Sequence, residues 1–239
     1  MSLFVWRNPP LLAGRLLRRY KRFLADIELD DGTLVTAHTS NTGSMLGCAT
    51  PGSPVYLSRA DNPKRKLPYT WEAVRVGRSW VSINTLLPNR LLRAACEARA
   101  LAELADYTAV RAEVPFGDKT RFDLLLEEPV HAGPLRCYVE IKNVTWADGP
   151  VARFPDAVTT RGQKHLRELM RAVEQGDRAM LIFFVARADC QRVAPADTID
   201  AEYGRLLRQA IDVGVEVLPL FIRFCRGRIE LEGRLPLVL

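Results

Sequence analysis

Two acidic residues and a lysine stand out by type and spacing. Asp123 interrupts an apolar run made of Phe122 and Leu124, Leu125 and Leu126; Glu140 follows 17 residues later, and Lys142 lies two positions beyond it. On extended backbone a spacing of two puts Glu140 and Lys142 on one face and Ile141 on the other. If the two strands pair, Asp123 reaches the same point. Two carboxylates and an ammonium then converge at the edge of an apolar sheet. The spacing alone recurs on ordinary surface strands, but Asp and Glu are rarely buried unless paired, and these sit among core-type residues. The chemistry such a set suits is phosphodiester hydrolysis. Mg²⁺ (or Mn²⁺ in its place) takes hard oxygen ligands, often one or two carboxylates completed by water and phosphate. Asp123, Glu140 and the Ile141 carbonyl would supply the protein side, with Glu97 from a preceding helix as a further metal ligand. A bound ion lowers the pKa of its water. Lys142 would orient or deprotonate that water, or stabilise the transition state. Arg161, Gln163 and Lys164, just past Thr159-Thr160, would hold the nucleic-acid phosphate nearby. No Ser/His/Asp set and no G-x-x-x-x-G-K-[ST] loop competes.

These residues need an α/β frame, and the rear of the chain predicts one. Leu91, Leu92, Ala95, Ala98 and Leu101 fall at helical spacing and predict a helix over 89–104. Strands are predicted over 120–127, 135–142 and 179–186, the last a continuous apolar run suited to burial on both faces. Leu166, Leu169, Met170 and Val173 predict a helix from about 160. A further helix over 200–213 ends at Gly214, and a strand follows over 215–224.

The front half reads as β. Strands are predicted over 22–29, 33–38, 55–57, 70–76 and 80–83, with turns at Asp31-Gly32 and Gly77-Arg78. Five short strands suit a Greek-key barrel of the OB type, whose face commonly receives single strands. Trp71 and Trp80 are expected inside it. The junction falls at Leu87-Pro88-Asn89. The chain therefore divides into an OB-like basic domain over 1–86 and a nuclease-like domain over 87–239, of α+β or α/β class with a mixed sheet flanked by helices.

The net charge of +6 is not evenly spread. Residues 1–86 hold 12 Lys and Arg against 6 Asp and Glu, whereas the remainder holds 22 against 22. This asymmetry points to a polyanionic partner such as a nucleic acid. Arg18, Arg19, Lys21 and Arg22, interleaved with Tyr20 and Phe23, and the loop cations Lys64, Arg65 and Lys66 are the expected phosphate contacts. The three histidines, His38, His131 and His165, share no metal-ligand spacing and are read as structural or solvated. Five scattered cysteines without a C-x-x-C pair read as reduced thiols. No apolar run approaches the roughly 20 residues of a membrane span, and the first residues do not read as a signal peptide. These features predict a cytoplasmic location. A homo-oligomer is compatible with the sequence.

The order helix-Glu, Asp, Glu-x-Lys, then a helix with a polar lip resembles the PD-(D/E)xK restriction-endonuclease-like superfamily. Longer stretches resemble one family, that of the sugar fermentation stimulation protein SfsA: RYKRF at 19–23, HTSNTGSMLG at 38–47, SRADNPKRKLPYTW at 58–71, YVEIKNV at 138–144, FPDAV at 154–158 and RGQKHL at 161–166. The resemblance runs from about residue 13 to the end. It implies an OB-like front domain, a nuclease-like rear domain and binding of DNA without marked sequence preference, with a link to the regulation of sugar metabolism. The family's site maps onto Asp123, Glu140 and Lys142. Two readings stay open: a DNA-binding protein, or a Mg²⁺-dependent nuclease working through those three residues. A third, a sugar-binding module, would lack the steep salt dependence of DNA binding.

Overall fold

Alternation along the first third of the chain closes into a barrel. The computed structural model describes residues 2–117, 120–131 and 134–239. After a short leading strand, β1 (Phe4–Arg7), come β2 (Leu11–Tyr20), β3 (Leu24–Leu29), β4 (Leu34–His38), β5 (Pro54–Arg59), β6 (Tyr69–Val76) and β7 (Ser79–Ser82). Their order is β4-β3-β2-β5-β6-β7, and parallel pairing of β4 with β6 at Ala37–Tyr69 and His38–Thr70 closes five of them. Ala25, Ile27 and Leu29 of β3, Val55 and Leu57 of β5, and Trp71 and Val74 of β6 fill the interior. Trp71 is fully buried, and its indole Nε1 donates to the Ala73 carbonyl at 3.0 Å, so its polar edge is satisfied. The fold class is the expected one: an OB barrel followed by a mixed sheet with three helices.

The barrel's five strands are not the expected five. β2, read as a cationic segment ahead of the first strand, is a full member, and β7 lies outside the closure. The reason is a register shift between Leu16 and Arg18 against β3. It breaks the alternation there, burying Leu16 and leaving Leu17 exposed. Trp80 is not inside either. It stacks on Tyr56 at 4.2 Å between ring centroids, on the side facing the second sheet.

The rest of the chain builds α1 (Leu87–Glu97), β8 (Tyr107–Phe116), β9 (Thr120–Pro129), β10 (Arg136–Val144), β11 (Ala147–Asp148), β12 (Val151–Phe154), α2 (Thr160–Glu174), β13 (Arg178–Val185), β14 (Arg192–Pro195), α3 (Ala201–Asp212), β15 (Glu216–Phe224) and β16 (Arg228–Arg234). A seven-stranded mixed sheet runs β1-β16-β15-β13-β10-β9-β8, and β11-β12-β14 form a small sheet apart. β10, β13 and β15 are parallel. β13 lies between two cores. Leu181, Phe183 and Val185 pack with Leu166 and Leu169 of α2 and Leu207 of α3. Met180, Ile182 and Phe184 pack with Leu91 and Leu92 of α1.

Three boundaries differ from the sequence reading. β1 belongs to this sheet, pairing Phe4 with Leu231, because Phe4 and Trp6 pack against its core while Val5 and Arg7 face solvent. The division at 1–86 therefore assigns β1 to the wrong sheet. α1 stops at Glu97: Arg99 takes φ +52°, a left-handed conformation that ends the helix. Leu101 and Leu104 are buried all the same, as part of a turn. β8 was not expected as a strand. It is an edge strand with half its side chains exposed and an irregular burial pattern, so no core alternation marks it.

Asp200 ties two helices together. Its carboxylate accepts from the Tyr203 N–H at 2.9 Å, which caps α3, and from the Thr159 N–H at 2.9 Å, at the start of α2. Gln163 also donates to it at 2.9 Å. Asp200→Ala removes a cap and leaves buried donors unpaired. It should cost about 2–3 kcal/mol in urea denaturation. A loss below about 0.5 kcal/mol would show the tie to be dispensable.

Candidate active site

β9 and β10 pair antiparallel, with Val139 opposite Leu124, so Glu140 and Asp123 are the next residues along the two strands. Asp123 is fixed at both oxygens. Its Oδ2 accepts from the Ile141 backbone N–H at 2.7 Å, and its Oδ1 accepts from Asn89 Nδ2 of α1 at 2.7 Å. Glu140 is 3 % exposed. Its Oε1 accepts from Lys142 Nζ at 2.6 Å, and His165 of α2 donates to the same oxygen through Nδ1. Arg161, one turn earlier on α2, donates from Nε to His165 Nε2 at 3.4 Å. Lys142 Nζ stands 3.2 Å from Nδ1 as well, so ammonium, imidazole and carboxylate meet at one point.

The two carboxylates are set apart by their surroundings. Burial, with Glu140 close by, pushes the Asp123 carboxyl up to about 6, against the pull of the Ile141 N–H and Lys142. Burial also opposes charge on Glu140, but Lys142 and His165 together outweigh it and hold that carboxyl below its ordinary value. Glu140 stays ionised while Asp123 titrates just below neutrality. Glu140 Oε2 is buried with no hydrogen-bond partner among the described residues. A free carboxylate oxygen beside a second, electrostatically coupled carboxylate fits the donor set of a hard divalent cation.

A cleft of about 790 Å³ opens beside this point, lined by Thr120, Arg121, Thr160, Arg161, Lys164 and His165. Arg161 and Lys164 line this cleft, and Arg161 touches the site through His165. Gln163 does not: it faces the other way and is held by Asp200. Glu97 does not join either. It lies on the exposed end of α1 in an i,i+4 pair with Arg93 at 2.8 Å. Eight residues separate it from Asn89, about 12 Å along the helix axis. Asn89, at the helix start, is the α1 residue that meets the site.

The barrel cations divide into two sets. Arg18 is paired with Asp26 at 2.7 Å and lies over the Tyr20 ring. Arg19 donates to the carbonyls of Arg22, Asn41 and Gly43, stapling two loops. Both guanidinium groups thus already have partners within the barrel. Lys21 and Arg22 occupy an exposed turn with φ +48° and +64°. Lys64 and Lys66 are exposed and Arg65 half-buried in the loop before β6.

Asn89 and His165 are the residues that sequence reasoning missed. Asn89 read as a junction residue, and only the fold reveals its aim at Asp123. The signal for His165 was its i+4 spacing from Arg161 on α2.

Comparison with known proteins covers the chain almost end to end. The SfsA N-terminal OB domain matches residues 17–83, and the sugar fermentation stimulation protein RE domain matches residues 86–227. The sugar fermentation stimulation protein homolog of Pelobacter propionicus is 57% identical over 233 residues, spanning 98% of this chain and 100% of that protein. The homolog from Synechococcus elongatus is 50% identical over 238 residues, spanning 98% of each. Among solved structures, Pyrococcus furiosus SfsA in complex with Ca²⁺ superposes with a TM-score of 0.89 at 26% identity over 100% of both chains.

Proposed function

The chain belongs to the sugar fermentation stimulation protein family, and from that premise we propose that it is a divalent-metal-dependent nuclease whose barrel draws in DNA without marked sequence preference. The observation that carries this is the meeting of Asp123, Glu140 and Lys142 with one Glu140 oxygen buried and unpartnered. Asp123, Glu140 and the Ile141 carbonyl would hold Mg²⁺ or Mn²⁺. The Pyrococcus furiosus relative is in complex with Ca²⁺, a cation of the same hard-oxygen preference. When bound, the ion supplies a water of lowered pKa and neutralises charge on the phosphate.

The protein's own residues do the rest. Asn89 and the Ile141 N–H fix the Asp123 carboxylate in one orientation. Lys142 is anchored to Glu140 and so is positioned to orient the attacking water or to stabilise the pentavalent phosphate. Arg161 and Lys164 line the adjoining cleft, where they neutralise the substrate phosphate. His165, between Arg161 and Glu140, couples that cleft to the carboxylates.

The test is a cleavage assay. Labelled single-stranded, duplex and branched DNA, and RNA, are incubated with Mg²⁺, Mn²⁺ or EDTA. Cutting in the metal lanes and none in EDTA is expected. Binding of all substrates without cutting of any would turn the reading to its alternative, a DNA-binding protein with a vestigial centre. The exposed cations Lys21, Arg22, Lys64 and Lys66 of the barrel favour that alternative as the source of affinity.

A further inference from the structure

Arg7, Arg65 and Arg90 come from three separate elements: β1, the loop between β5 and β6, and α1. They face one cleft of about 410 Å³ where the barrel meets the seven-stranded sheet. Trp6 and Ile229 wall it on the sheet side, His38 and Thr70 on the barrel side. Its floor is a closed polar net. Glu72 Oε1 accepts from Ser58 Oγ at 2.5 Å and Oε2 from Asn84 Nδ2 at 2.7 Å. Asn84 Oδ1 accepts in turn from Ser40 Oγ at 3.0 Å. The Glu72 carboxylate is thereby engaged within the floor.

Among the described residues, no ion pair or hydrogen bond engages the guanidinium of Arg7, Arg65 or Arg90. This contrasts with other arginines of the seven-stranded sheet and its helices. There Arg111, Arg136, Arg178, Arg208, Arg223 and Arg228 each face a carboxylate. Three like charges gathered at one cleft repel one another, and an anion placed among them removes that repulsion. Guanidinium groups fit phosphate oxygens in particular, through paired N–H donors.

Size and position narrow the ligand. The volume suits one small-molecule-sized unit and leaves no room for a paired duplex. Arg65 belongs to the basic run Lys64-Arg65-Lys66. Arg90 directly follows Asn89, whose amide holds Asp123 at 2.7 Å. The cleft thus joins the barrel's basic loop to the carboxylate centre. We propose that it seats one nucleotide of a single strand, its phosphate held by Arg7, Arg65 and Arg90, on the way to Asp123 and Glu140. This rests on the reading of the protein as one that acts on nucleic acid.

The test uses the full chain in EDTA, so that binding is read apart from cutting. A short labelled oligothymidylate is titrated by fluorescence anisotropy over a salt series. The variants are Arg7→Ala, Arg65→Ala, Arg90→Ala and the triple. Each single change should weaken binding several-fold and the triple about 100-fold. The log–log salt slope should flatten by roughly 0.7, the value for one phosphate contact on a single strand. Arg78→Ala, in the exposed β6–β7 turn, should bind as the wild type does. Unchanged melting temperatures would show that the variants are folded. Wild-type affinity and slope in the triple variant would overturn the proposal. So would thymidine 5′-monophosphate binding as tightly as the oligonucleotide and losing that binding in the triple variant, since the cleft would then serve a free nucleotide. The two readings separate cleanly. Metal-dependent cutting with binding indifferent to the arginines sinks the cleft alone, whereas arginine-dependent binding without cutting sinks the nuclease alone.

Discussion

Asp123→Asn and Lys142→Ala should each lower metal-dependent strand cutting by about 10²–10³-fold while leaving strand affinity in EDTA within about threefold. The magnitude follows from what each removes. Asp123 is one of two carboxylates at the point where the metal would sit, and Lys142 is the ammonium anchored to the other; losing one such transition-state contact typically costs about 10²–10³-fold in kcat. The two variants fail differently if the reading is wrong. Lys142→Ala strips a buried Glu140 of its ammonium partner, and breaking such a pair costs about 3–5 kcal/mol of stability, so its loss of activity alone would be ambiguous. Asp123→Asn keeps shape and volume and serves as the clean arm. Glu97→Ala is the control: Glu97 is exposed and, among the described residues, ion-paired with Arg93, so cutting should stay within about twofold. Equal cutting by wild type, Asp123→Asn and Lys142→Ala would remove these residues from the chemistry. A loss in Glu97→Ala would place the helix glutamate back in the site.

The contrast between Glu97 and Asn89 shows where sequence reading holds and where it stops. Glu140 and Lys142 were legible because strand period two is local: it places both on one face whatever the rest of the chain does. Asp123 was legible because a carboxylate inside an apolar strand needs a partner. Which α1 residue reaches the strands depends on where the helix begins and how it rotates against the sheet, and neither is local. The helix runs Leu87–Glu97, and its first turn is what faces β9. The same limit explains β1. Four residues with two half-buried aromatics carry too short a pattern to say which sheet they join, and their partner, β16, lies more than 200 residues away. Arg18 and Arg19 teach a different lesson. Composition located the excess charge in the barrel correctly, but an arginine that finds a carboxylate or three carbonyls within reach is already engaged. Only the fold separates those from Arg7, Arg65 and Arg90.

Asp123 also makes the protein's stability depend on pH in a direction opposite to that of most carboxylates. Its folded-state pKa is raised from 3.8 to about 6 by burial and then by Glu140. Between those two values the folded state holds a proton that the unfolded chain has lost, so stability falls as pH rises through the window and the penalty is complete above about 6. A shift of this size corresponds to something on the order of 2–3 kcal/mol. A divalent cation that binds the ionised pair should reverse the loss, because it binds the folded state alone. Melting temperatures measured in EDTA and in Mg²⁺ should therefore converge near pH 5, where Asp123 is protonated, and separate by several degrees near pH 8, with Mg²⁺ the more stable. Asp123→Asn should abolish the separation at every pH. In EDTA near pH 8 it should melt at or above the wild type, since it removes the buried charge and Asn89 can turn its amide to match the new donor. A Mg²⁺ stabilisation equal at pH 5 and pH 8, or one that survives Asp123→Asn, would mean that the cation binds elsewhere. The carboxylate pair would then be a structural feature of the β9–β10 edge rather than the metal centre.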